Sequence, residues 1–198
     1  LGPDIGTSLG VSEGIVVFIT SASAGFVVLG IMPLAWLADK VRRGPIVGVC
    51  AIAFGLMSIL SGLAVNAFML FWTRFGAGIA QAHEIPVHAS MFADTYPIGI
   101  RGRIASVSGT VGRIAGVASP VLVGAIAALF GGAAEGGWRW AFIILAIPPM
   151  LAGILAFWVR EPPRGQWERR SVVGDVPADD TGVPVSIVTF LSCAAGTL

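Results

Sequence analysis

Residues 14 to 38 run for 25 positions without a charged side chain. A helix of that length rises roughly 37 Å, enough to cross a bilayer with some tilt. The pattern returns four more times. Residues 45 to 65 are uncharged, and residues 67 to 92 are apolar apart from Arg74, His83, Glu84, His88 and a few neutral polar groups. Residues 104 to 130 carry one charge, Arg113, and residues 139 to 159 carry Arg139 at one mouth. Charged residues make up 12% of the 198 and hydrophobic residues 56%, against about 25% charged in an ordinary soluble domain. So few charges cannot cover a soluble protein of this size, and the bilayer is the expected solvent. The fold class read from this is all-α, a polytopic transmembrane helical bundle with five complete spans.

The segments between the spans fix its orientation. Residues 1 to 13, with their Gly, Pro, Asp and Ser, read as a loop, and residues 39 to 44 as a short charged one. Asn66 marks a tight turn, residues 93 to 103 and 131 to 138 form further loops, and residues 160 to 183 read as a polar linker. Residues 184 to 198 look like the start of another helix, and Pro148 and Pro149 are expected to kink the fifth span. Lys40, Arg42, Arg43, Arg101, Arg103, Arg160, Arg164, Arg169 and Arg170 all fall in alternate loops, whereas the opposite loops hold only Arg139. That asymmetry places the first set in the cytoplasm. Trp36, Trp138, Trp140 and Trp158 lie near span ends, where interfacial anchors are expected. The chain begins at Leu1 without a signal-peptide pattern and stops within an apolar run, so a fragment of a longer reading frame is expected.

Ionisable residues inside a membrane span are costly and should face protein or water. In the third span Arg74, Gln81 and His88 are spaced by seven, and Glu84 falls between the last two. On one straight helix the four form a polar stripe, the wall of a cavity. His83 points away from it and receives no role. Ser106, Thr110 and Arg113 share a face of the fourth span. Glu84 lies roughly 12 Å from the cytoplasmic end of its helix and Arg113 roughly 14 Å into the next, so the two are expected to pair. Two readings follow. In one, Glu84 or His88 carries a coupling proton and Arg74 or Arg113 binds an anionic group on a solute. In the other, the pair is a static lock between helices. Gly112, Gly116, Pro120 and Gly124 recur every four residues, a spacing that suits close helix packing.

The stretch Ala35-Trp36-Leu37-Ala38-Asp39-Lys40-Val41-Arg42-Arg43 resembles the signature Gly-x-Leu-Ala-Asp-Arg/Lys-x-Gly-Arg of major facilitator transporters, with Ala35 and Arg42 in place of its glycines. Arg74 to Ala82 resembles that family's fourth-helix pattern Arg-x-x-x-Gly-x-x-x-Ala. Asp94-Thr95-Tyr96-Pro97 with Arg101-Gly102-Arg103 resembles the loop that follows it. Residues Gly137 to Phe142 resemble the start of the sixth helix. The resemblance implies helices two to six of a major-facilitator-type fold. Residues 1–160 would be the incomplete N-terminal bundle without its first helix, 161–183 the cytoplasmic central linker, and 184–198 the start of the seventh helix. It also implies that Asp39 and Arg43, with Lys40, belong to a charge network at a cytoplasmic gate; an ordinary positively charged loop is the alternative. Arg160-Glu161-Pro162-Pro163-Arg164-Gly165 resembles the spinster-like branch, which is linked to lipid-like and organic anion cargo. That branch often has Gly-Glu-Ala where this chain has Ala80-Gln81-Ala82.

The sequence holds no phosphate-binding loop, no metal-ligand cluster and no His-Glu-x-x-His arrangement. No enzyme activity, cofactor or metal is therefore expected. Cys50 and Cys193 sit in apolar runs and read as small buried hydrophobes. A formal net charge of +1 gives no argument for a nucleic acid partner. The expected partners are the lipid bilayer, a small organic solute and a coupling ion, most simply a proton. The protein is expected to be a monomer in the cell membrane. The reading is an ion-coupled secondary transporter; the rival is a sensor or scaffold built on the same helices.

Overall fold

The computed structural model describes residues 2–132 and 136–167. Their secondary structure is helical, in the order α1 Gly2–Leu9, α2 Glu13–Lys40, α3 Arg43–Gly62, α4 Ala67–Gln81, α5 Glu84–Thr95, α6 Ile98–Leu129, α7 Trp138–Leu145 and α8 Ile147–Ala156. Four stretches are long and apolar enough to cross a membrane: α2, α3, α6, and α7 with α8 taken together. The start of a further helix expected at 184–198 lies outside the described residues, as do Cys193, Arg169 and Arg170.

The span expected over 67–92 is a broken helix. α4 ends at Gln81 and α5 starts at Glu84, with Ala82 and His83 still in helical torsions. Pro86 is the cause: it has no N–H for the carbonyl of Ala82, and its ring crowds that carbonyl. The backbone tightens there, with Ala82 N donating to the Ile79 carbonyl at 3.1 Å, before Val87 N resumes the ordinary ladder to His83 at 3.0 Å. The fifth span breaks as expected, at Ala146 just before Pro148 and Pro149.

Two loop readings are corrected. Residues 2–9 form a helix rather than a loop, because Ile5 and Leu9, four apart, give it an apolar face on the cluster of Val16, Ile19, Leu70 and Trp138. Gly10, at φ +67°, ends this helix; Gly10 N reaches Thr7 O and Val11 N reaches Gly6 O, the paired closure that a left-handed residue permits. The loop expected at 93–103 shrinks to Tyr96 and Pro97, since α6 begins at Ile98. Asn66 caps α4 by accepting from Met69 N at 2.7 Å.

α3 is central. It packs on α7 and α8 along one side and on α4 along another, while α4 also packs on α2. Lipid tails provide no hydrophobic drive for helix association, so close approach of backbones must do more of the work. Gly48, Gly55 and Gly62, seven apart on α3, face α7, α8 and the residue just past α8: the Phe157 ring and the Met150 side chain fill the space at Gly48 and Gly55, and the facing backbone also comes close. A Cβ at Gly48 would stand 2.9 Å from the Gly153 carbonyl, and one at Gly62 would stand 2.7 Å from the Arg139 carbonyl. On α4, a Cβ at Gly78 would stand 2.5 Å from the Ser23 carbonyl of α2. The stripe that the sequence singled out for packing, Gly112, Gly116 and Gly124, meets nothing within 4 Å. α6 leans on α7, touches α5 little, and is exposed over most of its length. Trp138 is buried, donating to Ser8 Oγ at 3.2 Å, and is not an interfacial anchor; Trp36, Trp140 and Trp158 remain exposed.

Replacing Gly78 or Gly62 by Ala is expected to destabilise the fold by about 1–3 kcal/mol through overpacking. Gly112→Ala should be neutral or mildly stabilising. Thermal unfolding in detergent reads the difference, and equal effects at all three positions would contradict the packing described.

Candidate functional site

At one end of the bundle the start of α3 meets the ends of α2 and α5 and the segment past α8 in a polar knot. Arg43, second to none in burial among the described cations at 6% exposed, opens α3. Its Nη1 donates to Asp94 Oδ2 at the end of α5, and its Nε lies 3.7 Å from Glu161 Oε1 beyond α8. Its backbone N–H donates to Glu161 Oε2 at 2.9 Å. Asp94, also buried, accepts from Gly165 N at 2.8 Å, and its carbonyl accepts from the Gln166 amide. The guanidinium of Arg164 donates to the carbonyls of Ala38 at 2.8 Å and Val41 at 2.6 Å, and to that of Asp39. These carbonyls lack intrahelical partners at the end of α2, where the helix dipole also favours a cation. Arg139 does the same at the far side, donating to Gly62 O at 3.2 Å and Ala64 O at 2.6 Å below α3.

Of the expected gate residues, Arg43 is inside this network and the side chains of Asp39 and Lys40 are not. Asp39 is exposed and contributes its carbonyl; Lys40 lies 3.9 Å over the Trp36 ring. Asp94 and Glu161 take the acidic roles. In the sequence they fall in a loop and a linker, within the stretches Asp94-x-x-Pro97 and Arg160-Glu161. What hid their role is sequence distance, since Arg43 is separated from Asp94 by 51 positions and from Glu161 by 118.

The second set of residues lies on α4 and α5. The break at Ala82–His83 divides the stripe expected from a straight helix. Arg74 is held in the interior, its guanidinium 4.4 Å over the Phe142 ring of α7. Its Nε and Nη2 are buried with no hydrogen-bond partner among the described residues. Gln81, the last residue of α4, is exposed, as are Glu84 and His88 on α5 beyond the break. His83, given no role by its spacing, is buried with Nδ1 2.7 Å from the Ala80 carbonyl and its ring 5.3 Å from that of His88. Glu84 and Arg113 do not pair. The ion pairs among the described residues join Arg42 and Arg43 with Asp94 and Glu161, and Arg113 is exposed on α6, which touches α5 little. Equal depth in the membrane is not proximity; the depth argument had no information on the lateral separation of α5 and α6.

Removing one partner of a buried ion pair leaves an uncompensated charge and costs about 3–5 kcal/mol. Asp94→Ala is expected to fall in that range, and Asp39→Ala within about 0.5 kcal/mol of the parent. Chemical unfolding of the two variants in detergent micelles compares them directly, and similar losses would refute the assignment of the acidic role to Asp94.

The chain is similar to a bacterial homologue of the human lysosomal transporter Spinster, crystallised in an inward-facing and occupied conformation. The TM-score is 0.64 at 26% sequence identity, over 75% of this chain and 37% of that one. It is 28% identical over 129 residues to a probable sulfoacetate transporter of Cupriavidus necator, covering 65% of this chain and 29% of the relative. It is 30% identical over 170 residues to a glucose transport protein of Synechocystis sp., covering 76% of this chain and 36% of the relative. The chain thus spans about a third of the length of these relatives. The family model described as Major Facilitator Superfamily matches residues 1–195, and this chain, a bundle of apolar helices, belongs to the Major Facilitator Superfamily.

Proposed function

We propose that the protein is a secondary active transporter of the cell membrane that moves a small organic anion by ion-coupled alternating access. The observation that carries the anion is Arg74. A guanidinium inside a membrane bundle with two buried, unpaired N–H groups is costly, and an aromatic face offsets only part of that cost. A carboxylate or sulfonate fits the geometry, since it accepts two parallel N–H bonds. The similarity to a probable sulfoacetate transporter supports this class, whereas the similarity to a glucose transport protein favours a neutral solute as the second reading.

In this reading residues 1–160 supply helices two to six of the first half, 161–183 the central linker and 184–198 the start of the seventh helix. The two halves rock about a midplane site. Glu84 or His88 carries the coupling proton on the exposed side of the break, with Gln81 beside them and Arg113 facing the same aqueous path from α6. Arg43, with Asp94 and Glu161, forms the latch that holds the cytoplasmic ends together when that side is closed; Asp39 and Lys40 lie at its rim.

The test is counterflow of radiolabelled sulfoacetate and of radiolabelled glucose by the full-length protein in proteoliposomes. Each hydrogen bond to a charged group is worth about 1.5–3 kcal/mol, so Arg74→Gln should lower sulfoacetate counterflow by roughly 10- to 100-fold. Glucose counterflow with none for sulfoacetate would select the second reading. Counterflow of neither, nor of a panel of short dicarboxylates, would favour a sensor or scaffold. Glu84→Gln is expected to flatten the dependence of uptake on external pH. An unchanged pH profile in both Glu84→Gln and His88→Gln would remove proton coupling through either residue.

A further inference from the structure

A cleft of about 290 Å³ opens between α3, α5 and the end of α8, lined by Gly44, Val47, Met91, Phe92, Ala156 and Val159 among others. Gly44 is the second residue of α3 and Val159 lies just past α8, so the cleft sits at the cytoplasmic ends of these helices. Its walls are almost wholly apolar. Of the polar side chains that touch it, the Thr95 hydroxyl is already donated to the Met91 carbonyl at 2.7 Å, leaving His88 and Tyr96. A water-soluble ligand finds little to bond there. At roughly 30 Å³ per water-sized group, the space takes about ten methylenes.

The charge at this level is one-sided. Arg42 and Arg160 flank the lining residues in sequence, one before Arg43 and Gly44, the other directly after Val159. The acids nearby, Asp94 and Glu161, are engaged by Arg43. Arg42 reaches Glu161 only at 4.0 Å and its side chain remains 43% exposed. Arg160 is exposed, with no acidic partner among the described residues. An apolar slot below surplus cations, at the depth where chain meets headgroup, has the complement of an anionic phospholipid.

We propose that this cleft binds one acyl chain of an anionic phospholipid from the cytoplasmic leaflet, with its phosphate held by Arg42 and Arg160. The site is separate from Arg74 and does not depend on which solute is carried. Because the cleft borders α5 and α8 beside Arg43, Asp94 and Glu161, a seated lipid packs against the helices that the ion network joins.

The experiment places the full-length protein in phosphatidylcholine nanodiscs with a trace of phosphatidylglycerol bearing a diazirine in its acyl chain. The same diazirine chain on phosphatidylcholine is the control, and photolabelled peptides are mapped by mass spectrometry. Phosphatidylglycerol should label residues 88–96 and 156–159 at least about fivefold more than the control. A cation near the surface contributes about a factor of five to anionic lipid binding, so Arg42→Gln and Arg160→Gln should each lower the label by roughly that factor. Val159→Trp, at a half-exposed position on the cleft wall, should lower label from both probes in the cleft. Label on the exposed face of α6 should stay unchanged in every variant, which reports correct insertion. Equal labelling by the two headgroups, or label in the cleft no denser than on α6, overturns the proposal. So does cleft labelling that survives Val159→Trp while α6 labelling is intact.

Discussion

One guanidinium joins three segments that lie far apart in the chain. Arg43 at the start of α3 reaches the end of α5 through Asp94 and the segment beyond α8 through Glu161. Within hydrocarbon each of these helices satisfies its own backbone, and little but shape tells one helix to stop beside another. A charge that must be neutralised supplies what shape alone does not, a single register at which all three ends agree. The cost of desolvating it is high, and the reward is specificity more than stability. Arg164 and Arg139 extend the same logic to opposite ends of the bundle, each closing on the open carbonyls of a helix that is not its own.

Much of this architecture was legible in the residues because the bilayer imposes coarse rules. The length of the uncharged runs set the spans, and the distribution of Lys and Arg set which ends lie together; the contacts of Arg43 with Asp94 and Glu161 join ends that the charge count had already put on one side. Proline was read correctly at Pro148 and passed over at Pro86, where polar neighbours drew the attention instead. A single proline with a free helix ahead of it moves the phase of everything after it, which is why a stripe computed with an unbroken 3.6-residue period came apart. The short α1 was missed because the glycines and serines of residues 1 to 13 look like a loop, yet one of those glycines, Gly10, serves as the helix stop.

The site was less legible than the fold, for a different reason. Arg74 could be named from composition alone, because a cation in an apolar run announces itself. Its neighbour Phe142 could not, since no local pattern links α4 to α7. The same holds for Asp94 and Glu161, and in reverse for Glu84 and Arg113, which matched in expected depth but form no ion pair. Sequence says little about azimuth, which decides who meets whom. Glycines show the same limit: the stripe on α6 has the regular spacing, whereas those with another helix close against them, Gly48, Gly55, Gly62 and Gly78, are recognised only by what stands opposite them.

The interruption at Ala82–His83 has a mechanical side. It makes α5 a short rigid arm, hinged at Pro86 and carrying Asp94 near its far end. Twelve residues of helix extend about 18 Å, so a tilt of about 10° at the joint carries that end sideways by about 3 Å, enough to part a carboxylate from a guanidinium. Ala82 rests against Gly30 of α2, the Cβ of one filling the space that the other leaves. That contact gives the arm a fulcrum on a neighbouring helix, so leverage on the Arg43–Asp94 pair is available to whatever presses on α5 close to the joint, where Glu84 and His88 stand.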